Sequence, residues 1–426
     1  MKLRKFGTRL LAGASMAGLA LLLVSCAASN TVDFLYVTSN VSSPGQINVY
    51  EVDSESGALK QLADSPYPSG GVNPVYEVVS PNGKHLYVAN HDDNTIVMLA
   101  IGTDGKLYPL QTTTTPGTEP VALAMNASGT ALFVLDYYAP AAPGQPSYTD
   151  LNPGPGAVIV YSVDPTSGSL NKTPLANGAA NYWNVQCFPS NLTVTPDGNH
   201  LYVTNTNSVV VTTAPPVTGT IPTRPTVCPA YGTVSEFAVD ASGGNTSSVS
   251  GLTELTGSPL STGSGSQPTG IAADPASANI YVTDSALNLV DAFAIQSDGS
   301  LSLAATAPTG NQPMGATVTG KSGSPGTYLY VSNYTDGSIS SYSLSGGVPT
   351  PISTTNSGTS GPLCMILDPQ LGRFLYVSDY IGGRVGAATV NPSTGALTIN
   401  QGSPFATQGQ PTCVAAVGHA GNSNGL

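Results

Sequence analysis

The chain has 426 residues, of which only 8% are charged, and a formal net charge of −12. Average domains are roughly 25% charged, so this surface must be mostly Ser, Thr, Asn, Gln and Gly, and its acidic balance excludes nucleic acid and anionic lipid surfaces, which demand clustered Lys and Arg. Gly and Pro number 48 and 35, below the roughly 25–30% that marks low-complexity disorder, so a folded, turn-rich chain is expected.

Lys2, Arg4, Lys5 and Arg9 precede an apolar run from Leu10 to Val24, the charged-then-apolar layout of a secretory signal. That run is shorter than the roughly 20 residues a membrane-spanning helix needs. It ends in Leu23-Val24-Ser25-Cys26, which resembles the lipobox of bacterial lipoproteins. The resemblance implies cleavage before Cys26, acylation of its thiol, and an exported protein anchored by lipid in the cell envelope. Ala27 in place of Asp directs the expectation to the outer membrane or the periplasmic face. Four of the 12 basic and none of the 24 acidic residues lie in the signal, so the mature chain carries 8 − 24 = −16. The expected layout is a signal over residues 1–25, a tether over 26–32, one folded unit over 33–418 and a tail over 419–426.

Within that unit a strand-like block recurs: Phe34-Leu35-Tyr36-Val37-Thr38, Leu86-Tyr87-Val88-Ala89-Asn90, Leu132-Phe133-Val134-Leu135-Asp136, Leu201-Tyr202-Val203-Thr204-Asn205, Ile280-Tyr281-Val282-Thr283-Asp284, Leu329-Tyr330-Val331-Ser332-Asn333 and Leu375-Tyr376-Val377-Ser378-Asp379. Most intervals match the roughly 40–50 residues of one four-stranded propeller blade. Two longer ones, after Leu132 and Leu201, imply insertions. A second strand follows each block, as in Ile47 to Asp53 and Val158 to Asp164, then a Gly turn and a third strand, as at Gly57-Ala58-Leu59 and Gly168-Ser169-Leu170. A proline (Pro74, Pro120, Pro189, Pro268, Pro313, Pro362, Pro411) then opens a strand of small apolar residues. Proline cannot donate to a ladder and suits the first position of a strand. Helical periodicity is absent after Cys26. These features predict an all-β, seven-bladed β-propeller. Its first strand is the second of a blade and its last is the innermost of the same blade, so the ring closes by pairing the two ends and leaves no open edge.

The Leu-Tyr-Val-Thr/Ser-Asn/Asp blocks resemble the YVTN β-propeller repeat, and the whole unit resembles the bacterial lactonase-like propellers related to 6-phosphogluconolactonase. Activity as a lactonase is what this resemblance implies.

The Asn or Asp of each block and the proline-led entry to the innermost strand should gather on one rim. Insertions over about 138–155, 171–188 and 206–231 are placed on that rim too, around blades three and four, and long loops on a rigid scaffold are where binding sits. The rim candidates are His91, Asp92, Glu119, Tyr137, Tyr138, Trp183, Tyr334, Tyr380 and Arg384. The repeated Asn and Asp are expected to cap turns. Cys187 and Cys228 lie in converging loops and are a candidate disulfide. Cys364 and Cys413 share a register in adjacent innermost strands, where they either bridge or remain small buried apolar groups. Without Cys-x-x-Cys and with only four His, no metal site is expected. The stretch Gly315 to Ser322 spells a phosphate loop, but its Gly lies in an expected innermost strand rather than between strand and helix, and no cofactor is expected.

Two functions follow. A binding or scaffolding module, presenting its uncharged rim to a glycan, a peptide or an envelope protein, is the first. A hydrolase acting on a neutral sugar lactone or similar ester is the alternative. Lactone hydrolysis needs a base and oxyanion donors, and of the residues near the channel mouth only Glu77 and Glu119 are acidic, with Glu77 as the candidate base. A monomer with no partner membrane other than through its lipid is expected.

Overall fold

The computed structural model describes residues 30–41, 43–141, 144–149, 152–178, 180–206, 228–229, 231–242 and 245–419. The signal, Cys26 and the tail beyond residue 419 lie outside the described residues, as does segment 207–227 of the third insertion.

Seven antiparallel sheets follow one another along the chain, and no helix is found among the described residues. The innermost strands are Gln410–Gly418 in blade 1, then Pro74–Val79, Thr118–Met125, Pro189–Val194, Pro268–Ala273, Pro313–Val318 and Pro362–Leu367 in blades 2 to 7. Each pairs with its blade's Leu-Tyr-Val strand; in blade 1 that partner is Thr31–Asn40, with Leu35 opposite Ala416. The two ends of the chain therefore complete one sheet. A disulfide joins Cys364 of blade 7 to Cys413 of this closing strand, and a second joins Cys187 to Cys228.

The Leu-Tyr-Val strands are buried on both faces because each is sandwiched between neighbouring blades. Residues such as Leu35, Leu86, Leu201 and Val203 are wholly inaccessible. Burying the tyrosine ring is favourable, but its hydroxyl then needs a partner. The next blade supplies it: Tyr87 donates to the carbonyl of Gly168 (2.6 Å), Tyr202 to Gly299 (2.6 Å), Tyr330 to Gly395 (2.9 Å), and Tyr376 to Gly57 (2.9 Å). The same turn glycine takes a flat contact from the residue two positions before the tyrosine. At Gly168, with φ +73°, an added Cβ would lie 2.4 Å from His85 Nδ1. Only glycine fits both the backbone and that contact.

Nearer the axis, hydroxyls stitch blades together. Thr204 Oγ1 donates to the Thr269 carbonyl at 3.0 Å, and Ser332 Oγ donates to that of Leu363 at 2.7 Å while accepting the Gly315 N–H at 2.9 Å. The residue after Leu-Tyr-Val or its equivalent is Thr or Ser in five of the seven blocks, at Thr38, Thr204, Thr283, Ser332 and Ser378.

Three expectations about the insertions are corrected. Trp183 is not on a rim loop. It begins Trp183–Cys187, the outer strand of blade 3, is only 6% exposed, and donates its indole N–H to the Leu252 carbonyl of blade 4 at 2.7 Å. The 171–188 stretch is correspondingly not a rim loop. Leu175 N–H still bonds the Val160 carbonyl of the neighbouring strand, and Trp183 pairs with Val158 of the same strand. Tyr138 is 1% exposed, because the strand runs on to it as Ala131–Tyr138.

Candidate functional site

The repeated Asn and Asp act as turn caps. Asp136 accepts the Gly117 N–H at 3.0 Å, Asp284 that of Gln267 at 3.1 Å, Asn333 that of Gly310 at 3.0 Å, and Asp379 that of Gly361 at 2.9 Å. Each is buried. They order the loop that delivers the chain to the channel and do not face it as ligands.

The loop they order is strained. Asn73, Glu119, Phe188 and Gln312, each immediately before an innermost-strand proline, have φ of +55°, +59°, +51° and +56°. Non-glycine residues rarely hold this conformation, and such outliers concentrate at functional sites. Partial compensation comes from asparagines of the preceding blade: Glu119 N–H donates to Asn94 Oδ1 at 2.7 Å and Gln312 N–H to Asn288 Oδ1 at 2.8 Å. Four of the seven entries to the innermost strands therefore share one left-handed backbone conformation.

Titratable side chains gather at one of these entries, between blades 2 and 3. His91 Nδ1 lies 2.7 Å from Asp92 Oδ1, and its Nε2 lies 3.8 Å from Glu119 Oε2. Asn73 Nδ2 donates to Asp92 Oδ1 at 3.0 Å. Burial pulls the Asp92 carboxyl upward, but hydrogen bonds from Asn73 and His91 outweigh it and leave it below the usual carboxylate range. A carboxylate thus fixes one imidazole nitrogen while the other points toward a second carboxylate. His91 is thereby oriented and half-buried.

Glu77 is elsewhere. It is 3% exposed and its Oε1 accepts the Thr38 N–H at 3.3 Å. The register of blade 1 shifts between Thr38 and Ser39, and Glu77 spans the blade 1–2 junction beside that irregularity. Burial raises it well above the usual carboxylate range against the hydrogen bonds from Thr38 and Ala415. It is a buried strut. Tyr334 and Tyr380 come together on the opposite side, between blades 6 and 7: an added Cβ at Gly361 would meet Ile381 Cγ1 at 2.8 Å and Tyr334 Cε2 at 3.0 Å. Burial first, then Tyr380 and Asp379, push the Tyr334 phenol up. Tyr137 meets Tyr138 edge to face and Phe188 at a tilt, with ring centroids 4.9 and 5.7 Å away, against the Cys187–Cys228 bridge. Arg384 is exposed at the start of Arg384–Val390 and joins none of these groups.

Below the mouth, the axial channel widens into a cavity of about 190 Å³ lined by Tyr76, Ser190, Asn191, Thr269, Ile271, Met314, Gly315, Ala316, Leu363, Cys364, Met365 and Thr412. No charged residue is among them. Three hydroxyls are committed to the ring itself: Ser190 Oγ donates to the Pro268 carbonyl at 2.9 Å, Thr269 Oγ1 to Pro313 at 2.8 Å, and Thr412 Oγ1 to Pro74 at 2.8 Å. Tyr76 and Asn191 differ. They reach toward each other across the short side chains of blade 3 and hydrogen-bond within the channel, and burial holds the Tyr76 phenol above its ordinary range. The sequence signal for them was available, since each breaks the small-residue rule of the innermost strand. No group of His, Cys, Asp and Glu placed to hold a metal ion is found among the described residues.

The family model for lactonase, 7-bladed beta-propeller, matches residues 25–122 and 233–416. The gap between these stretches holds the three long insertions, Trp183 and the Cys187–Cys228 pair. A 6-phosphogluconolactonase from Xenorhabdus nematophila is 37% identical over 93 residues, 22% of this chain and 26% of that protein, so the likeness spans about a quarter of the relative's length. Among solved structures, a periplasmic gluconolactonase from Pseudomonas aeruginosa superposes with a TM-score of 0.67 at 19% identity, covering 91% of this chain and 99% of the other. A protein from Lactobacillus plantarum does so at 0.65 and 16%, covering 91% and 99%. These likenesses establish the shared fold.

Proposed function

The chain belongs to the lactonase family of seven-bladed β-propellers, and from that premise we propose that it opens an uncharged lactone at the channel mouth as an exported, lipid-anchored hydrolase. The observation that carries the reading is His91, held by Asp92 and facing Glu119 at the mouth of a channel whose lining is uncharged. In the proposed reaction His91 Nε2 takes a proton from water, whose oxygen attacks the ring carbonyl. Tyr76 and Asn191 donate hydrogen bonds to the developing oxyanion. Collapse breaks the ring C–O bond, the proton on Nε2 passes to the departing alkoxide, and a hydroxy acid leaves. Asp92 positions the imidazole, and Glu119 stands 3.8 Å from the Nε2 that takes and returns the proton.

The uncharged lining supports a substrate without phosphate. A phosphoryl group would be expected to find Arg or Lys, and neither lines the channel. The two disulfides support an oxidising, extracytoplasmic compartment, in keeping with the signal and with the periplasmic location in the name of the Pseudomonas structure.

His91→Ala should lower kcat on a neutral lactone by about 10²–10⁴, the usual worth of a general base, with little change in KM. Asp92→Asn should lower kcat less and shift its pH profile. An unchanged kcat in His91→Ala would remove the imidazole from the reaction. The second reading, a non-catalytic propeller that binds a glycan, a peptide or an envelope protein, is favoured by the aromatic patch of Tyr334 and Tyr380; retention of such a ligand without any lactone turnover would establish it.

A further inference from the structure

The polar and apolar groups of the channel are not mixed. Tyr76 comes from blade 2 and Asn191 from blade 4, and His91, Asp92 and Glu119 stand above them on blades 2 and 3. The far wall, from blades 5 to 7, is Ile271, Met314, Leu363, Met365 and the Cys364 side of the disulfide. Its one side-chain hydroxyl, on Thr269, is spent on Pro313. A ligand in this cavity meets hydrogen-bonding groups on one side and hydrocarbon and sulfur on the other.

We infer that the substrate is a lactone bearing a short alkyl arm, with its ring carbonyl toward Tyr76 and Asn191 and its arm against Met314, Leu363 and Met365. This rests on the hydrolase reading above and narrows it away from polyhydroxylated sugar lactones. A sugar lactone placed here would turn several hydroxyls toward side chains that cannot bond them, and each polar group left without a partner in a desolvated site costs about tenfold in affinity. Size agrees: a dry apolar cavity of about 150 Å³ admits benzene, so about 190 Å³ takes a six-membered ring with a few added carbons. Methionine suits such a wall, since its thioether adapts to arms of different shape.

The test compares δ-octalactone with glucono-δ-lactone on the mature protein by acid release, and measures calorimetrically the binding of 6-propylpiperidin-2-one, the lactam counterpart that water does not open. At least a tenfold higher kcat/KM for δ-octalactone is expected. Met314→Gln and Leu363→Asn, checked for native circular dichroism and thermal midpoint, should each narrow that ratio several-fold. Equal turnover of the two lactones, or preference for glucono-δ-lactone, overturns the inference and leaves the hydrolase reading standing. Lactam binding without turnover of either lactone supports the alkyl site and overturns hydrolysis. Failure of the lactam to bind, with no turnover of either lactone, overturns both.

Discussion

Asp33 has no role in the proposed chemistry, yet it is among the most perturbed carboxyls of the molecule. It is inaccessible in the first strand, and burial, then the charge of Asp368, then a hydrogen bond to Asp368 push it up to about 8. Asp368 is meanwhile committed as an acceptor, taking the N–H groups of Leu371, Arg373 and Phe374 at 2.6 Å each. Asp33 therefore keeps its proton at neutral pH. Glu236, pushed up to about 7 by burial, belongs to the same class. Between pH 4 and 8 the folded chain holds protons that the unfolded chain has released, so these groups make stability fall as pH rises through that window and level off above it. His85 and His200, lowered chiefly by burial, act oppositely, taking stability away as pH falls below about 6.5. Thermal midpoints should accordingly be lower at pH 8 than near pH 6, and Asp33→Asn should flatten that slope; an unchanged slope would show that Asp33 does not carry the proton. At the mouth, His91, Asp92 and Glu119 were each legible as rim candidates, but no spacing in the sequence brings Glu119 of blade 3 to within 3.8 Å of His91 of blade 2. Glu77 was misjudged because sequence places it on the innermost strand without saying that it turns into the blade junction beside the shifted register of blade 1.

Each element is held by a contact that its neighbour's turn makes possible. The Tyr87 hydroxyl and the His85 ring both sit on Gly168, so Gly168→Ala combines a strained φ with a collision. Gly198, at φ +77°, has nothing within 4 Å of an added Cβ. Gly198→Ala should cost about 1–2 kcal/mol from the backbone alone, and Gly168→Ala clearly more, as measured by chemical unfolding. Equal losses would mean that the interblade contact contributes nothing. Strand order was readable because the Leu-Tyr-Val block and the proline entry recur with a blade's spacing. The outer strand of blade 3 was not: Leu175 and Trp183 both bond the neighbouring strand, and no repeat marks where Trp183 resumes pairing. The cysteines fared differently: the Cys187–Cys228 pairing holds although Cys187 ends a strand rather than lying in a loop, and the equal register of Cys364 and Cys413, which left bridging open, resolves into a bridge.

At the scale of the whole molecule, ring closure makes the seven blades depend on one ladder, that of Thr31–Asn40 with Gln410–Gly418, and the Cys364–Cys413 bridge ties blade 7 to its closing strand. The bond closes a loop with a sequence separation of 49, so replacing both cysteines by Ser should cost about 2–4 kcal/mol and appear as a single cooperative loss rather than the melting of one blade. A separate early transition would contradict closure as the source of cooperativity. On the proposed reading, chemistry falls at the mouth of the closed ring, where Asp92 holds His91 above a cavity with an uncharged lining. The most direct test is acid release from uncharged lactones by the mature protein near neutral pH. Ring opening well above the spontaneous rate, abolished in His91→Ala, is the expected result; a rate no greater than the spontaneous one on every lactone tried would contradict the assignment.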